Sequence, residues 1–203
     1  MLRKLRLHWE QKKLADPKFA FLYDEAAGGG EMVSIDCETT GLDVKTAEII
    51  SIGAVKICEN RVLAGEPFYV LIKPEGEMAA ENISVHGLRP QDLSGGLPIQ
   101  EALLQLLDFI GGRPLVGYYL EFDVAMLNKF LKPLIGVKLP NRQIEISSIY
   151  YRQEMKTLQD GFVDLRLEAI NKKLRLPVTA RHNALNDAVH AAVMYLCLQG
   201  RER

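Results

Sequence analysis

Cysteine is scarce in this chain. Its three residues, Cys37, Cys58 and Cys197, stand far apart, with no CxxC pair and no Cys/His zinc spacing. An odd count without a framework excludes a disulfide scaffold and points to a reducing compartment. Each sits in an apolar run, where the thiol behaves as a small hydrophobe. Long hydrophobic runs are missing too: none approaches the roughly 20 residues that span a bilayer. The basic N-terminus lacks the apolar stretch of a secretory signal. The expectation is a cytoplasmic protein with no membrane partner. Neither charge sign dominates, with 25 Lys and Arg against 26 Asp and Glu and a formal net charge of −1. That excludes a uniformly basic nucleic-acid coat. Local basic clusters remain at Arg3, Lys4, Arg6, Lys12 and Lys13, and at Arg166, Lys172, Lys173, Arg175 and Arg181. These suit either solvated faces or phosphate contacts. Internal repeats and long low-complexity tracts are absent.

What the chain has is a core. Its 203 residues are 48% hydrophobic, enough for one compact α/β domain with a small extension. Residues 1–25 read as that extension, a short amphipathic helix interrupted by Pro17. Ala26-Ala27-Gly28-Gly29-Gly30 reads as a flexible joint. The main unit covers residues 30–200. Met32 to Cys37 is a short apolar strand. Residues 47–58 and 61–72, rich in Ile and Val around Glu59-Asn60, predict a β-hairpin. A long polar loop follows from Lys73 to Pro98. Ile99 to Ile110 has helical periodicity and stops at Gly111-Gly112. Then come a strand at Leu115–Gly117, a helix from Glu121 to Leu131 halted before Pro133, and a strand over 143–149. Asp164–Leu174 and Asn183–Leu198 read as helices. Strands first, then alternating helices and short strands, describe a mixed sheet.

Chemistry concentrates in three places. In Ser34-Ile35-Asp36-Cys37-Glu38-Thr39-Thr40-Gly41, strand alternation puts Asp36 and Glu38 on one face, with Cα atoms roughly 7 Å apart. Two such carboxylates repel, and burial makes this worse unless a cation neutralises them. A divalent metal suits oxygen ligands. A solvated strand end would explain the pair equally well. Phe122-Asp123 opens the middle helix, where an aspartate can serve only the helix dipole. In Arg181-His182-Asn183-Ala184-Leu185-Asn186-Asp187-Ala188, Asp187 flanks a stripe of alanines, and His182 lies about one turn away. His182 could equally be a capping or packing residue. His190, on the same helix, reads as structural.

Taken in order, these segments resemble the DnaQ-like (DEDDh) 3′→5′ exonucleases, including the polymerase III epsilon subunit. The match is acid-x-acid on a strand, Phe-Asp opening a middle helix, and His-x4-Asp opening a late one. Thr39-Thr40-Gly41-Leu42 matches the continuation of the family's first motif, and Val85-His86-Gly87-Leu88 its substrate-loop signature. The resemblance covers roughly residues 30–198. It implies a ribonuclease-H-like fold: a five-stranded mixed sheet flanked by helices. It implies two Mg2+ ions, replaceable by Mn2+, held by Asp36, Glu38, Asp123 and Asp187. Asp36 would bridge the ions, and His182 would take the proton of the attacking water, a task for which an imidazole is suited near neutral pH. Thr39, Thr40, Gly41, Leu42, His86 and Phe122 would line the terminal nucleotide. The substrate would be the 3′ end of single-stranded nucleic acid, DNA favoured, with an RNA-directed relative or a silent binding module as alternatives.

Two departures stand out. Where the family's middle motif has His-Asn, this chain has Tyr118-Tyr119. No segment resembling the polymerase-docking tail of epsilon subunits follows the last helix, so a free-standing nuclease is expected over polymerase association. Gln105-Leu106-Leu107-Asp108-Phe109, faintly like a sliding-clamp peptide, is read as core packing inside a helix.

Overall fold

The computed structural model describes residues 2–76, 86–156, 161–177 and 182–201. Strand β1 (Met32–Thr39) lies at the centre of a five-stranded sheet of order β3-β2-β1-β4-β5. β2 (Ile49–Cys58) pairs antiparallel with β1 and with β3 (Arg61–Leu71). The expected hairpin is present, with Glu59 in a left-handed conformation at φ 53°. β4 (Leu115–Gly117) and β5 (Gln143–Glu145) add in parallel on the other side. Among the described residues the helices are α1 (Leu2–Gln11), α2 (Pro90–Leu93), α3 (Ile99–Ile110), α4 (Leu120–Ile135), α5 (Ile146–Met155), α6 (Leu167–Leu174) and α7 (Ala184–Arg201).

The sheet separates two apolar layers. Val33, Ile35 and Cys37 of β1 pack with Leu103, Leu106, Leu127 and Leu131 of α3 and α4. On the other side, Val55, Ile57 and Val116 pack with Ile149, Ile170, Met194 and Leu198 of α5, α6 and α7. β2 is buried along most of its length, as a strand covered on both faces must be. Leu106 and Leu107 are fully buried and Phe109 packs against the core, so the clamp-like peptide belongs to the interior.

Three elements depart from the sequence expectation. α4 runs through Pro133 to Ile135. A proline in the last turn removes a single intrahelical donor, and the helix closes at Gly136 (φ 82°), whose N–H reaches the Lys132 carbonyl. The strand expected over 143–149 ends at Glu145, which caps α5 through Ser147. The Ile-rich run looked extended, but Ile146, Ile149 and Tyr150 form a helical i, i+3, i+4 stripe, and packing that stripe decides the outcome. α6 begins at Leu167 because Asp164 and Arg166 fold into a local turn ahead of it.

Residues 26–28 form a short 3₁₀ turn and Gly28 is buried, where a flexible joint was expected. A second 3₁₀ segment, Pro17–Tyr23, sends Phe19 and Leu22 into the same apolar cluster as β1. The Ala15 N–H bonds the Ile135 carbonyl at 2.9 Å, and Arg113 pairs with Glu31 at 2.8 Å.

Candidate active site

The site forms where β1 ends, because strand pairing and one missing side chain let α7 approach. Asp36 lies opposite Gly53 in the β1–β2 register. A Cβ on Gly53 would collide with the Leu185 nitrogen and the Ala184 carbonyl carbon. Only glycine admits the first turn of α7 this close to the sheet. Ala184 and Ala188 are fully buried there, so backbone packs against backbone. Asp187, on the same turn, is thereby carried to β1. Ligand oxygens of Asp36, Glu38 and Asp187 all lie within 4.8 Å of one another.

Asp123 joins from the other side. It is buried in the first turn of α4, and its Oδ1 accepts the Cys37 backbone N–H at 3.0 Å. The positions of Tyr119 and α4 are set by Glu145, whose Oε1 accepts the Tyr119 N–H at 3.1 Å and whose Oε2 accepts the Leu120 N–H at 2.8 Å. Sequence reasoning did not single out Glu145 or Gly53. Their roles depend on contacts between distant segments.

The electrostatics match an incomplete charge balance. Burial pushes the Asp36 carboxyl well above the usual carboxylate range, and Asp123, Asp187 and Glu38 add to this. Burial, then Asp187, raises Glu38 to about 7. Burial raises Asp123 to about 8, even though the Cys37 N–H draws it back down. The Cys37 thiol is pushed well up by burial and by the same carboxylates, so it stays neutral. A cation would relieve this crowding, in which Asp36, Glu38 and Asp123 hold their protons more tightly than usual. The donor set is all oxygen, which fits Mg2+ or Mn2+.

His182 is exposed beside the cluster, in a left-handed conformation (φ 67°). Its backbone N–H donates to Asp187 Oδ2 at 2.8 Å, which ties the histidine to the metal-ligand candidate. A cleft of ≈ 200 Å³ is lined by Asp36, Glu38, His182 and Asp187, and also by Tyr118 and His190. His190 is held by Asn171 at 2.8 Å, in keeping with a structural residue. His86 is buried, and both burial and the neighbouring His182 lower its pKa. Its Nδ1 accepts the Leu88 N–H at 3.1 Å, which leaves the proton on Nε2, and Nε2 has no partner among the described residues. The other residues of the Val85–Leu88 signature divide: Val85 lies outside the described residues, whereas Gly87 and Leu88 are described.

The Thr-Thr-Gly turn is held by local bonds. Thr39 Oγ1 donates to the Gly41 carbonyl at 2.8 Å, and Thr40 Oγ1 accepts the Glu48 N–H at 2.9 Å. Leu42 is 84% exposed, so it does not pack in the core. Phe122 is half-buried, with its ring near-parallel to that of Tyr119. The structure thus brings Asp36, Glu38, Asp187, Asp123, His182 and His86 into one region.

The sequence profile of the exonuclease family RNase_T matches residues 33–195. The chain belongs to this exonuclease family. It is similar to the DNA polymerase III epsilon subunit of Aquifex aeolicus, with 30% identity over 168 residues, 82% of this chain and 79% of that protein. It is also similar to the PolC-type DNA polymerase III of Thermotoga petrophila, with 29% identity over 86% of this chain. The exonuclease chain spans only 12% of that polymerase. Among solved structures, exonuclease I superposes with a TM-score of 0.70 at 16% identity, over 84% of this chain and 41% of the other. Exonuclease X in complex with 5′-overhanging duplex DNA gives 0.65 at 18% identity, over 84% and 92%. These likenesses show the ribonuclease-H-like fold that the family resemblance implied.

Proposed function

We propose that this exonuclease removes nucleotides from the 3′ end of single-stranded nucleic acid, DNA favoured, and releases nucleoside 5′-monophosphates. The observation that carries the reading is the Asp36, Glu38 and Asp187 cluster with its oxygens within 4.8 Å, and Asp123 beside it, in a chain of the exonuclease family. Similarity to epsilon and PolC-type polymerase proteins supports DNA as the substrate. The solved complex of Escherichia coli exonuclease I with a dT13 oligonucleotide supports single strands.

Asp36, Glu38, Asp187 and Asp123 would hold two Mg2+ ions, with Mn2+ as a substitute. Bound metal supplies positive charge for the reacting phosphate and lowers the pKa of water. The chain's own side chains do the rest. Asp36 and Glu38 gather the charge on one strand face, and Asp123 locks that strand through Cys37. His182 stands exposed at the rim and takes a proton on its imidazole. His86 keeps a proton on Nε2, a donor suited to a phosphate oxygen. Thr39, Thr40, Gly41, Leu42 and Phe122 shape the seat of the terminal nucleotide. Residues 1–25 are an extension bound to the 30–200 catalytic unit. The three free thiols suit a cytoplasmic setting.

Digestion of 5′-labelled single-stranded DNA and RNA of one sequence, with Mg2+ or Mn2+, tests the reading. A ladder shortening from the 3′ end, faster on DNA, is expected. A ladder on RNA alone would make the enzyme an exoribonuclease. Binding of both strands without shortening would make it a silent binding module.

A further inference from the structure

Tyr119 holds a conformation that suits it poorly. At φ 59°, ψ 31° it is left-handed, a region where asparagine is at ease and a bulky ring is not. The backbone is kept there by Glu145, which accepts the N–H groups of both Tyr119 and Leu120 and is itself fixed by the Ser147 N–H (3.0 Å) and hydroxyl (2.8 Å). From residue 119 those bonds take only the main-chain N–H, so they do not call for a tyrosine. The ring does no packing work that would account for it either: the residue is 60% exposed. What the ring does is lie near-parallel to Phe122, at 6.4 Å between centroids and 16° between planes. Phe122 immediately precedes the buried Asp123, whose Oδ1 accepts the Cys37 N–H of β1, so the ring pair stands at the start of α4 next in sequence to a member of the carboxylate group.

We propose that Tyr119 extends the Phe122 surface into a stacking platform for an unpaired nucleobase, the one next to the 3′-terminal base. The inference rests on the exonuclease reading and names a subsite of that same site. An aromatic face held in water at backbone cost fits a ligand that presents a flat π-surface. Bases of a single strand present such faces, whereas paired bases in a duplex are already stacked. Stacking is sequence-tolerant because every base has a π-face. The subsite therefore favours frayed or single-stranded 3′ ends without selecting a base, and makes no use of the 2′-hydroxyl.

The test is a cycle between the ring and the base. Single-turnover kcat/KM is measured on a single-stranded oligonucleotide and on the same strand with an abasic second nucleotide. In the wild-type protein the abasic strand is expected to lose about tenfold, within the ~5–150-fold range that stacking of one base supplies. In Tyr119→Ala the intact strand loses a similar factor, chiefly in KM, and the abasic site costs nothing further. Tyr119→Phe and Tyr119→Trp keep the abasic penalty. Tyr119→Asn removes the ring while relieving the backbone, so it melts no lower than wild type and still loses the penalty. An abasic penalty of the same size in wild type, Tyr119→Ala and Tyr119→Asn overturns the platform while leaving the exonuclease intact. A wild-type protein that shortens no strand in Mg2+ or Mn2+ removes the exonuclease reading and the subsite with it.

Discussion

At the scale of single residues, His182 separates chemistry from structure most cleanly. Its backbone is bonded to Asp187, so a structural role is a real alternative. If the imidazole is the general base, His182→Ala lowers the single-turnover rate by roughly 10²–10⁴. The wild-type rate rises with pH through an ionisation that the variant lacks. Profiles of the same shape, differing only in the fraction of folded protein, would show that His182 is not the base. The carboxylates make a prediction of opposite kind. Asp36, Glu38 and Asp123 bind protons more tightly in the folded, metal-free protein than in the unfolded chain. The folded state therefore holds more protons between the ordinary carboxylate range near pH 4 and about pH 7–8, and stability falls as pH rises through that window. Chelator-treated protein is expected to melt lower at pH 8 than at pH 5, and Mg2+ should raise the melting temperature more at pH 8. A melting temperature that rises with pH in the presence of chelator would refute this charge assignment. Asp36 and Glu38 were legible as a one-face pair from strand alternation, and Asp187 from the order of motifs that resembles the family; the fold brings their oxygens together. Glu145 and Gly53 were not, because each acts on a segment far away in the chain.

At the scale of elements, α7 against β1 and β2 makes the site. The helix carries Asp187 and must approach at backbone distance, which Gly53 and the buried Ala184 and Ala188 allow. Gly53→Val should push the first turn of α7 outward and spread the carboxylates. Activity is expected to fall at least tenfold at limiting Mg2+ and to recover partly at high Mn2+, read as a metal titration of rate. A titration identical to wild type would show that the close approach does not set the metal geometry. Sequence periodicity placed α3 at Ile99–Ile110 and the hairpin around Glu59-Asn60, because their apolar patterns are strong and their ends are marked by glycine or a tight turn. It missed α5, since a run of isoleucines with one glutamate suits a strand until the neighbouring helices choose its face. It also ended α4 early, by treating Pro133 as a stop although a last-turn proline costs only one bond.

At the scale of the whole molecule, the N-terminal extension is tied to the core more closely than its composition suggested. Phe19 and Leu22 are buried in the layer beneath β1, each worth ~1.5–3 kcal/mol of burial. Removal of residues 1–11 is expected to leave folding and turnover on short oligonucleotides intact. Removal of 1–25 should lower the melting temperature substantially, by uncovering that layer. Equal melting temperatures for the two truncations would mean that Phe19 and Leu22 contribute nothing. Basic residues at the start of the chain hid this docking, because the anchors lie in one short apolar run, Phe19 to Tyr23, whose packing partners are far along the chain.

In the proposed function the carboxylate cluster drives metal-dependent shortening of a strand from its 3′ end. The most direct test is a time course on 5′-labelled single-stranded DNA with Mg2+, comparing wild type with Asp36→Ala and Asp187→Ala. A one-nucleotide ladder and nucleoside 5′-monophosphate are expected from wild type, and neither from wild type with chelator. Both variants should stay folded, with an unchanged or higher metal-free melting temperature because repulsion is relieved, and produce no ladder. Near-normal shortening by either folded variant would contradict that role of the cluster.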